Sequence, residues 1–349
     1  MPTHDDANKL YKQALEAGRR GDNPQATTLF EQALTFNLAK TVDDLGKPAQ
    51  AETYYHQALT LYQTLPNTEE NQATCLHNLA TSLATRGKLA DAEPHYHQAL
   101  TLYQTLPNTQ RDQAHCLLSL ATVLATRGEL AEAEPYYRQA LTLYQTLPNT
   151  QRDQATCLYN LATTLSKLDK LAQAEPHYHQ ALTLYQDIPN TQRDQATCLL
   201  SLATILATRG KLADAEPHYH QALTLYQDIP NTQRDQATCL FSLATILATR
   251  GKPAQAEPYY RQALTLNQDI PNTEEKQAIC LFNLANTLRA LGKPAQAEPC
   301  YHQALTLYQT LPNTEEKQAT CLFNLAKTVD DLGKPAQAEP CYHQALTLY

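Results

Sequence analysis

The sequence predicts an all-α fold, a solenoid of stacked antiparallel helix hairpins. Three observations point there. Seven cysteines fall at positions 75, 116, 157, 198, 239, 280 and 321, each 41 residues from the next. Residues 174–214 and 215–255 agree at 38 of 41 positions, differing only at Leu200/Phe241, Leu212/Pro253 and Asp214/Gln255. Each unit also carries two apolar stripes of helical period. A fixed period of this length marks a repeat architecture and displaces the two domains that 349 residues alone would suggest.

The elements of one unit follow in order. In residues 68–86, Leu76, Leu79, Ala80 and Leu83 recur at i, i+3, i+4 and i+7, one face of a first helix. Asn67-Thr-Glu-Glu70 and Thr109-Gln-Arg-Asp112 resemble capping boxes at its start. Gly87 follows the last turn, where a left-handed residue is needed. Leu89, Ala92, Tyr96, Ala99, Leu100 and Tyr103 then form the stripe of a second helix, and Leu106–Asn108 stops it. One hairpin cannot bury both its faces, so each stacks on the next, with contacts between neighbours only. Small residues such as Ala80, Ala92 and Ala99 let the helix axes approach, and Leu and Tyr fill the space around them. Pro94 and its copies at 135, 176, 217, 258, 299 and 340 sit early in the second helix. If that helix begins at Leu89, Pro94 removes one backbone bond and bends it slightly. Asp169 stands where other units have the turn glycine, a local cost that the turn should tolerate.

The period breaks twice. A divergent unit spans about Asp5–Leu34, with Ala14, Gly21, Ala26, Phe30 and Ala33 in the repeat's order. Ala51 follows Ala26 by only 25 residues, 16 short of the period, which predicts one continuous helix from about Pro24 to Leu45. The organisation expected is a divergent hairpin over residues 1–46, fused by that long helix to an array over 47–349 whose last repeat is truncated. About nine hairpins result. Residues 37–52 are identical to 324–339, a sign of recombination or splicing. Natural duplication and a designed array are both compatible with copies this close. At the other end the sequence stops at Tyr349, inside the last helix and without a polar capping helix. Two expectations follow: a fragment of a longer protein, or self-association through the uncapped end.

Composition narrows the function. The net charge of −8 disfavours nucleic acid, whose phosphates require clustered positive charge. No apolar run reaches the roughly 18 residues of a membrane span. The first residues are polar and acidic, unlike a secretory signal, so the cytoplasm is the expected compartment and no membrane partner is expected. Every candidate catalytic group is copied from unit to unit, whereas an enzyme site needs different groups converging once. No Cys-x-x-Cys, G-x-S-x-G or phosphate-cradling glycine loop occurs. No enzyme activity, catalytic residue or cofactor is therefore expected. Equivalent cysteines on parallel helices about 8–10 Å apart cannot form disulfides, and read as small, semi-buried thiols in a helix interface. Cys300 and Cys341 occupy a position held elsewhere by His or Tyr. The His-x-His pairs His95/His97, His177/His179 and His218/His220 point about 200° apart on a helix, so no metal site is expected.

The order Leu79-Ala80, Leu83, Gly87, Ala92, Tyr96, Ala99-Leu100 resembles the tetratricopeptide repeat. The segment Ala92–Leu100 and the entry Asn78–Ala80 resemble its kinesin-light-chain type, although the period is one residue short and Leu76 stands where many such repeats carry Trp. The resemblance implies a right-handed superhelical solenoid in which the first helix of each hairpin lines a concave groove. It assigns to that groove the column His77, Leu118, Tyr159, Leu200, Phe241, Phe282 and Phe323. Beside it run Asn78, Ser119, Asn160, Ser201, Ser242, Asn283 and Asn324, and one turn on Thr81, Thr122, Thr163, Thr204, Thr245, Asn286 and Lys327. In kinesin-light-chain-like repeats the matching asparagines contact cargo peptides. Asparagine serves a peptide backbone as donor and acceptor, and aromatic rings offer anchors. The resemblance thus implies a non-enzymatic scaffold taking a peptide or protein partner between about residues 150 and 330. The candidate contacts are Asn78, Tyr159, Asn160, Phe241, Phe282, Asn283, Phe323, Asn324 and Lys327. The opposing expectation is that Phe241 and its neighbours pack between helices instead. The Lys/Asn/Arg pattern of carboxylate clamps is missing, so chaperone C-termini are not expected partners. A second functional reading is the sensor or regulatory arm of a larger signalling protein, whose effector domain lies outside this sequence.

Overall fold

The structure is a computed structural model that describes residues 16–17, 19–21 and 23–348. Sixteen α-helices and no strand occur among the described residues. They are α1 (Asn23–Asp44), α2 (Pro48–Gln63), α3 (Glu69–Thr85), α4 (Leu89–Thr105), α5 (Gln110–Arg127), α6 (Leu130–Thr146), α7 (Gln151–Lys167) and α8 (Leu171–Gln186). The remainder are α9 (Gln192–Thr208), α10 (Leu212–Gln227), α11 (Gln233–Thr249), α12 (Pro253–Gln268), α13 (Glu274–Ala290), α14 (Pro294–Thr310), α15 (Glu315–Asp331) and α16 (Pro335–Leu348). The chain divides into two compact units, Met1–Leu184 and Tyr185–Tyr349. In the first, each helix from α1 to α6 packs on its successor. In the second the same holds from α9 to α15. This is the all-α solenoid of helix-pair repeats that the 41-residue period predicted.

The long helix expected from Pro24 to Leu45 is α1, 22 residues without a break. Ala14 and the first half of the divergent unit lie outside the described residues, as does Tyr349. Inside a repeat the alanines do what their size allows: Ala80, Ala92 and Ala99 are wholly buried, and Tyr96 beside them is 2% exposed. Small contacts bring the axes together, and the large rings fill the gaps that remain. Each cysteine of the ladder is wholly buried too, deeper than the semi-buried thiol expected from sequence. The sulfur is tucked against a backbone carbonyl: Cys116 Sγ donates to the Tyr96 carbonyl at 3.2 Å, and Cys157 Sγ to that of Tyr137 at 3.1 Å.

The hairpin turns close as predicted. Gly87 adopts φ +76°, Lys88 N–H donates to the Leu83 carbonyl at 3.0 Å and Gly87 N–H to that of Ala84 at 2.9 Å, the paired bonds of a Schellman ending. Asp169 holds the same conformation at φ +59°, with Lys170 N–H reaching the Leu165 carbonyl at 2.8 Å.

The helix starts correct the sequence reading. No capping box forms: Thr68, Thr109 and Thr150 make no side-chain cap bond to their own helices. The preceding asparagines Asn67, Asn108 and Asn149 are left-handed (φ +56° to +60°), and the threonines sit near ψ 12–14°, not in the extended region that an N-cap uses. The hydroxyl is thereby turned backwards onto the helix just ended. Thr150 Oγ1 donates to the Tyr144 carbonyl at 2.6 Å, and Gln154 Nε2 braces it, 2.9 Å from the Thr150 hydroxyl and 3.2 Å from the same carbonyl. Thr and Gln four residues apart therefore clamp a helix end; they do not start one.

Proline falls where its geometry permits. Pro48, Pro253, Pro294 and Pro335 each open a second helix, which explains why Leu212 can be replaced by Pro253 in the next copy. Pro94 lies inside α4, so the Ala90 carbonyl lacks its intrahelical donor, the single lost bond that the sequence implied.

Candidate functional site

The column that follows each cysteine runs along the first helices and is partly exposed. In the first unit it holds His77, Leu118 and Tyr159; in the second, Leu200, Phe241, Phe282 and Phe323. All are half-buried except Phe323, which is 42% exposed. Each aromatic member meets a tyrosine from the second helix of its own hairpin edge-on. Ring centroids are 5.6 Å apart for Tyr159–Tyr178, 5.7 Å for Phe241–Tyr260, 5.9 Å for Phe282–Tyr301 and 6.0 Å for Phe323–Tyr342. The expectation that these rings pack within the helix pairs is thus met in part. Each ring packs on a tyrosine inside the hairpin and still keeps part of its surface accessible.

The neighbouring amides divide. Asn78, Asn160, Asn283 and Asn324 are half-buried. Asn283 Nδ2 donates back to the Ile279 carbonyl at 3.0 Å in its own helix. The side chains of Asn78, Asn160 and Asn324 make no hydrogen bond among the described residues. Lys327 is exposed, and its Nζ sits 4.7 Å above the Phe323 ring, a cation–π contact that presents both groups together.

The threonine column is not a row of open contacts. The Thr81 hydroxyl lies 2.9 Å from the Tyr96 hydroxyl, Thr122 3.2 Å from that of Tyr137, and Thr163 3.0 Å from that of Tyr178. The second unit repeats the bond with Thr204–Tyr219 at 3.2 Å and Thr245–Tyr260 at 3.1 Å, and Asn286 accepts from Tyr301 in the same way. These hydroxyls satisfy the polar tips of buried tyrosines. Sequence reasoning missed the pairing, although its signal is the constant spacing of 15 residues between Thr and Tyr.

Cavities open between successive first helices in the second unit. One, of ≈ 290 Å³, is lined by Phe282, Tyr308, Glu316, Lys317 and Thr320. A second is walled by Phe241 and Ile279. The Lys317 ammonium is paired with Glu275 at 2.5 Å.

The other titratable groups act within the scaffold. Glu134 accepts from Lys170 at 2.8 Å and from Arg138 at 2.9 Å, and the Lys170 bond foremost holds its carboxyl below the usual range. Glu257 repeats this with Lys293 and Arg261. Burial pushes the Cys116 and Cys157 thiols up to about 12, so they carry no thiolate near neutral pH. Histidines of successive second helices do meet, in a register of 39 residues. His56 and His95 lie 6.1 Å apart between ring centroids, and His97 lies 6.0 Å from Tyr136. No group of three His, Cys, Asp or Glu residues stands close enough to hold a metal ion among the described residues.

Comparison with known proteins agrees with this architecture. The tetratricopeptide repeat model matches residues 31–105, 112–187, 194–269 and 277–349. The chain is similar in fold to the apo form of the quorum sensor NprR from B. thuringiensis, with a TM-score of 0.58 at 10% identity over 99% of each chain. It is similar to BtubC (BKLC) from P. vanneervenii, with a TM-score of 0.53 at 21% identity over 63% of this chain and 88% of that one. Kinesin-light-chain-like repeats are also among its neighbours: the nearly identical TPR-like repeats of a Podosopora anserina putative kinesin light chain give a TM-score of 0.48 at 13% identity, covering 58% of this chain and 97% of that one. Among the curated proteins there is no match.

Proposed function

Because the chain belongs to the tetratricopeptide repeat family, we propose that it is a non-enzymatic interaction scaffold that binds an extended peptide, or an extended segment of a protein, in a concave groove along its first helices. The observation that supports this reading is the aromatic column with part of each ring left accessible beside amide side chains. Tyr159 with Asn160 offers such a pair in the first unit; Phe282 with Asn283 and Phe323 with Asn324 do so in the second. Rings that are half-packed are already fixed in place, so a ligand that covers them loses little side-chain freedom in doing so. Amides next to them can meet the N–H and C=O groups of an extended chain. Asn78 and Lys327 extend the contact surface in the first and second unit respectively.

No described helix is long and apolar enough to cross a membrane. Nine cysteines, none of them in a disulfide, suit a reducing compartment, and the proposal therefore sets the scaffold in the cytoplasm.

The test is a selection of peptides from a displayed random library on the wild type, followed by affinity measurement on two variants. Tyr159→Ala probes the first unit and Phe241→Ala/Phe282→Ala the second, each after circular dichroism confirms unchanged helicity. Selected peptides should lose about tenfold or more in affinity to one of the variants, as expected for a truncated aromatic anchor. Peptides that bind wild type and both variants equally would move the interaction off this face. No selectable peptide at all would favour the reading of a regulatory arm that acts through another domain.

A further inference from the structure

The second helix of each repeat carries a tyrosine in its last turn, with one exception. Tyr62, Tyr103, Tyr144, Tyr185, Tyr226 and Tyr308 hold the position, and Asn267 departs from it. The retained phenol crosses to the first helix of its own hairpin. The Tyr103 hydroxyl donates to Thr74 Oγ1 at 3.1 Å, that of Tyr144 lies 2.8 Å from His115 Nδ1, and that of Tyr226 3.0 Å from Thr197 Oγ1. In the Asn267 repeat the residue at the far end of this path is Thr238, whose hydroxyl donates to the Arg234 carbonyl at 2.9 Å, as that of Thr197 does to Arg193, and meets no phenol.

Two features mark the repeat that carries Asn267. Asn267 is 4% exposed, and its Oδ1 is buried without a hydrogen-bond partner. Along the path that the missing phenol would take lies a cavity of ≈ 200 Å³, lined by Ala237, Thr238, Phe241, Asn267, Lys276 and Ile279. Its surface is mostly apolar. One repeat further on, where Tyr308 is present, the ring itself forms a wall of the corresponding cavity. A buried apolar space of about 150 Å³ already admits a benzene ring, so this one has room for a phenol. A buried, unpartnered acceptor in such a space is costly unless a donor reaches it.

We propose that this cavity is an anchor pocket for the phenol side chain of a tyrosine supplied by a bound partner. The guest ring takes the place of the tyrosine that the repeat lacks. It packs on Phe241 and Ile279, and its hydroxyl donates to Asn267 Oδ1. The proposal rests on the peptide-binding reading for the source of the tyrosine, and on the break in the repeat for the pocket itself. A site that offers an unpaired polar atom should prefer tyrosine to phenylalanine, because only the phenol satisfies it.

The test uses the full chain carrying a methyl label at Ile279, titrated with N-acetyltyrosinamide and N-acetylphenylalaninamide. The tyrosine probe should shift the Ile279 methyl signal saturably and bind about fivefold to tenfold more tightly than the phenylalanine probe. Asn267→Tyr restores the repeat, so it should raise the melting temperature and abolish the shift. Asn267→Phe fills the same space and serves if the first variant folds poorly. No saturable shift in the wild type, equal binding of the two probes, or an unchanged shift in the filled variants would each overturn the pocket. Failure of the tyrosine probe with selected peptides still bound through Phe282 would overturn the pocket alone. Loss of both would overturn the peptide-binding reading as well.

Discussion

His77 stands edge-on to Tyr96, with ring centroids 5.4 Å apart and its Nδ1 buried without a hydrogen-bond partner. Burial first, and the charge of nearby His115 next, hold the imidazole down at about 4. A histidine whose folded pKa lies below its unfolded value of 6.5 binds its proton more readily in the unfolded chain. Its contribution to stability is complete above pH 6.5 and is lost as pH falls from there towards 4. The cost over that window is on the order of 2 kcal/mol after allowance for partial exposure. His77→Leu, which copies Leu118 of the next repeat, should flatten the acid limb of a urea-denaturation series across this range. Parallel pH profiles for the two proteins would contradict the assignment.

The clamp between Thr150 and the Tyr144 carbonyl gives a second expectation. Thr150→Val keeps the shape of the side chain and removes the donor, leaving Gln154 as the remaining side-chain partner of a buried carbonyl. The loss should be about 1–2 kcal/mol. The double variant Thr150→Val/Gln154→Leu should lose more than either single change, because both side chains serve the same oxygen. Chemical denaturation followed by circular dichroism measures both.

The repeat, the helix pairs, the long α1 and the glycine turns were legible in the sequence because each leaves a periodic or local signal. The capping boxes were misread for a physical reason. Thr109-x-x-Asp112 is a cap only when the threonine is extended, and after the left-handed Asn108 its hydroxyl turns onto the preceding helix. That rotation depends on one backbone angle, which residue identity does not specify. The site was legible as a column but not as a surface. The sequence placed Phe241 and Thr245 side by side, yet only the packing shows that Thr245 is occupied by Tyr260 while Phe241 keeps part of its surface accessible. The Tyr-to-Asn change at position 267 was visible in the letters. Its consequence, a cavity with a buried acceptor, required knowing where the other tyrosines point.

Asp169 holds a left-handed turn that eight described glycines also adopt. A residue with a side chain costs roughly 1 kcal/mol in that conformation relative to glycine, and asparagine and aspartate are the most tolerant of it. Glycine in turn makes the unfolded chain more flexible, which offsets part of the relief. Asp169→Gly should therefore stabilise the first unit by at most about 1 kcal/mol, and Asp169→Val, with a branched side chain at φ +59°, should destabilise it. Thermal denaturation of the two variants decides: a stabilising valine would mean that the turn rearranges instead of holding its angle.

The cysteines divide into two chemical classes. Those at 75, 116, 157, 198, 239, 280 and 321 are wholly buried, and burial pushes the thiols of Cys239, Cys280 and Cys321 up to about 12. Cys300 and Cys341 are only half-buried, with raised pKa values of the same cause. Reaction with a disulfide reagent requires thiolate and access together. At about pH 8.5, near the ordinary cysteine pKa, the native protein should therefore release colour from Cys300 and Cys341 first. The remaining seven of its nine cysteines should react only as the helices around them separate. Cys300→Ser/Cys341→Ser should abolish the early phase and leave the slow one unchanged. Because the Cys116 and Cys157 thiols each sit between a first helix and the second helix before it, their slow rates report the separation of those two elements. Denaturant should accelerate the slow phase in proportion to unfolding of the unit that holds it. Cys116 or Cys157 reacting as fast as Cys300 in the folded protein would show that its hairpin stands apart from the preceding one in solution.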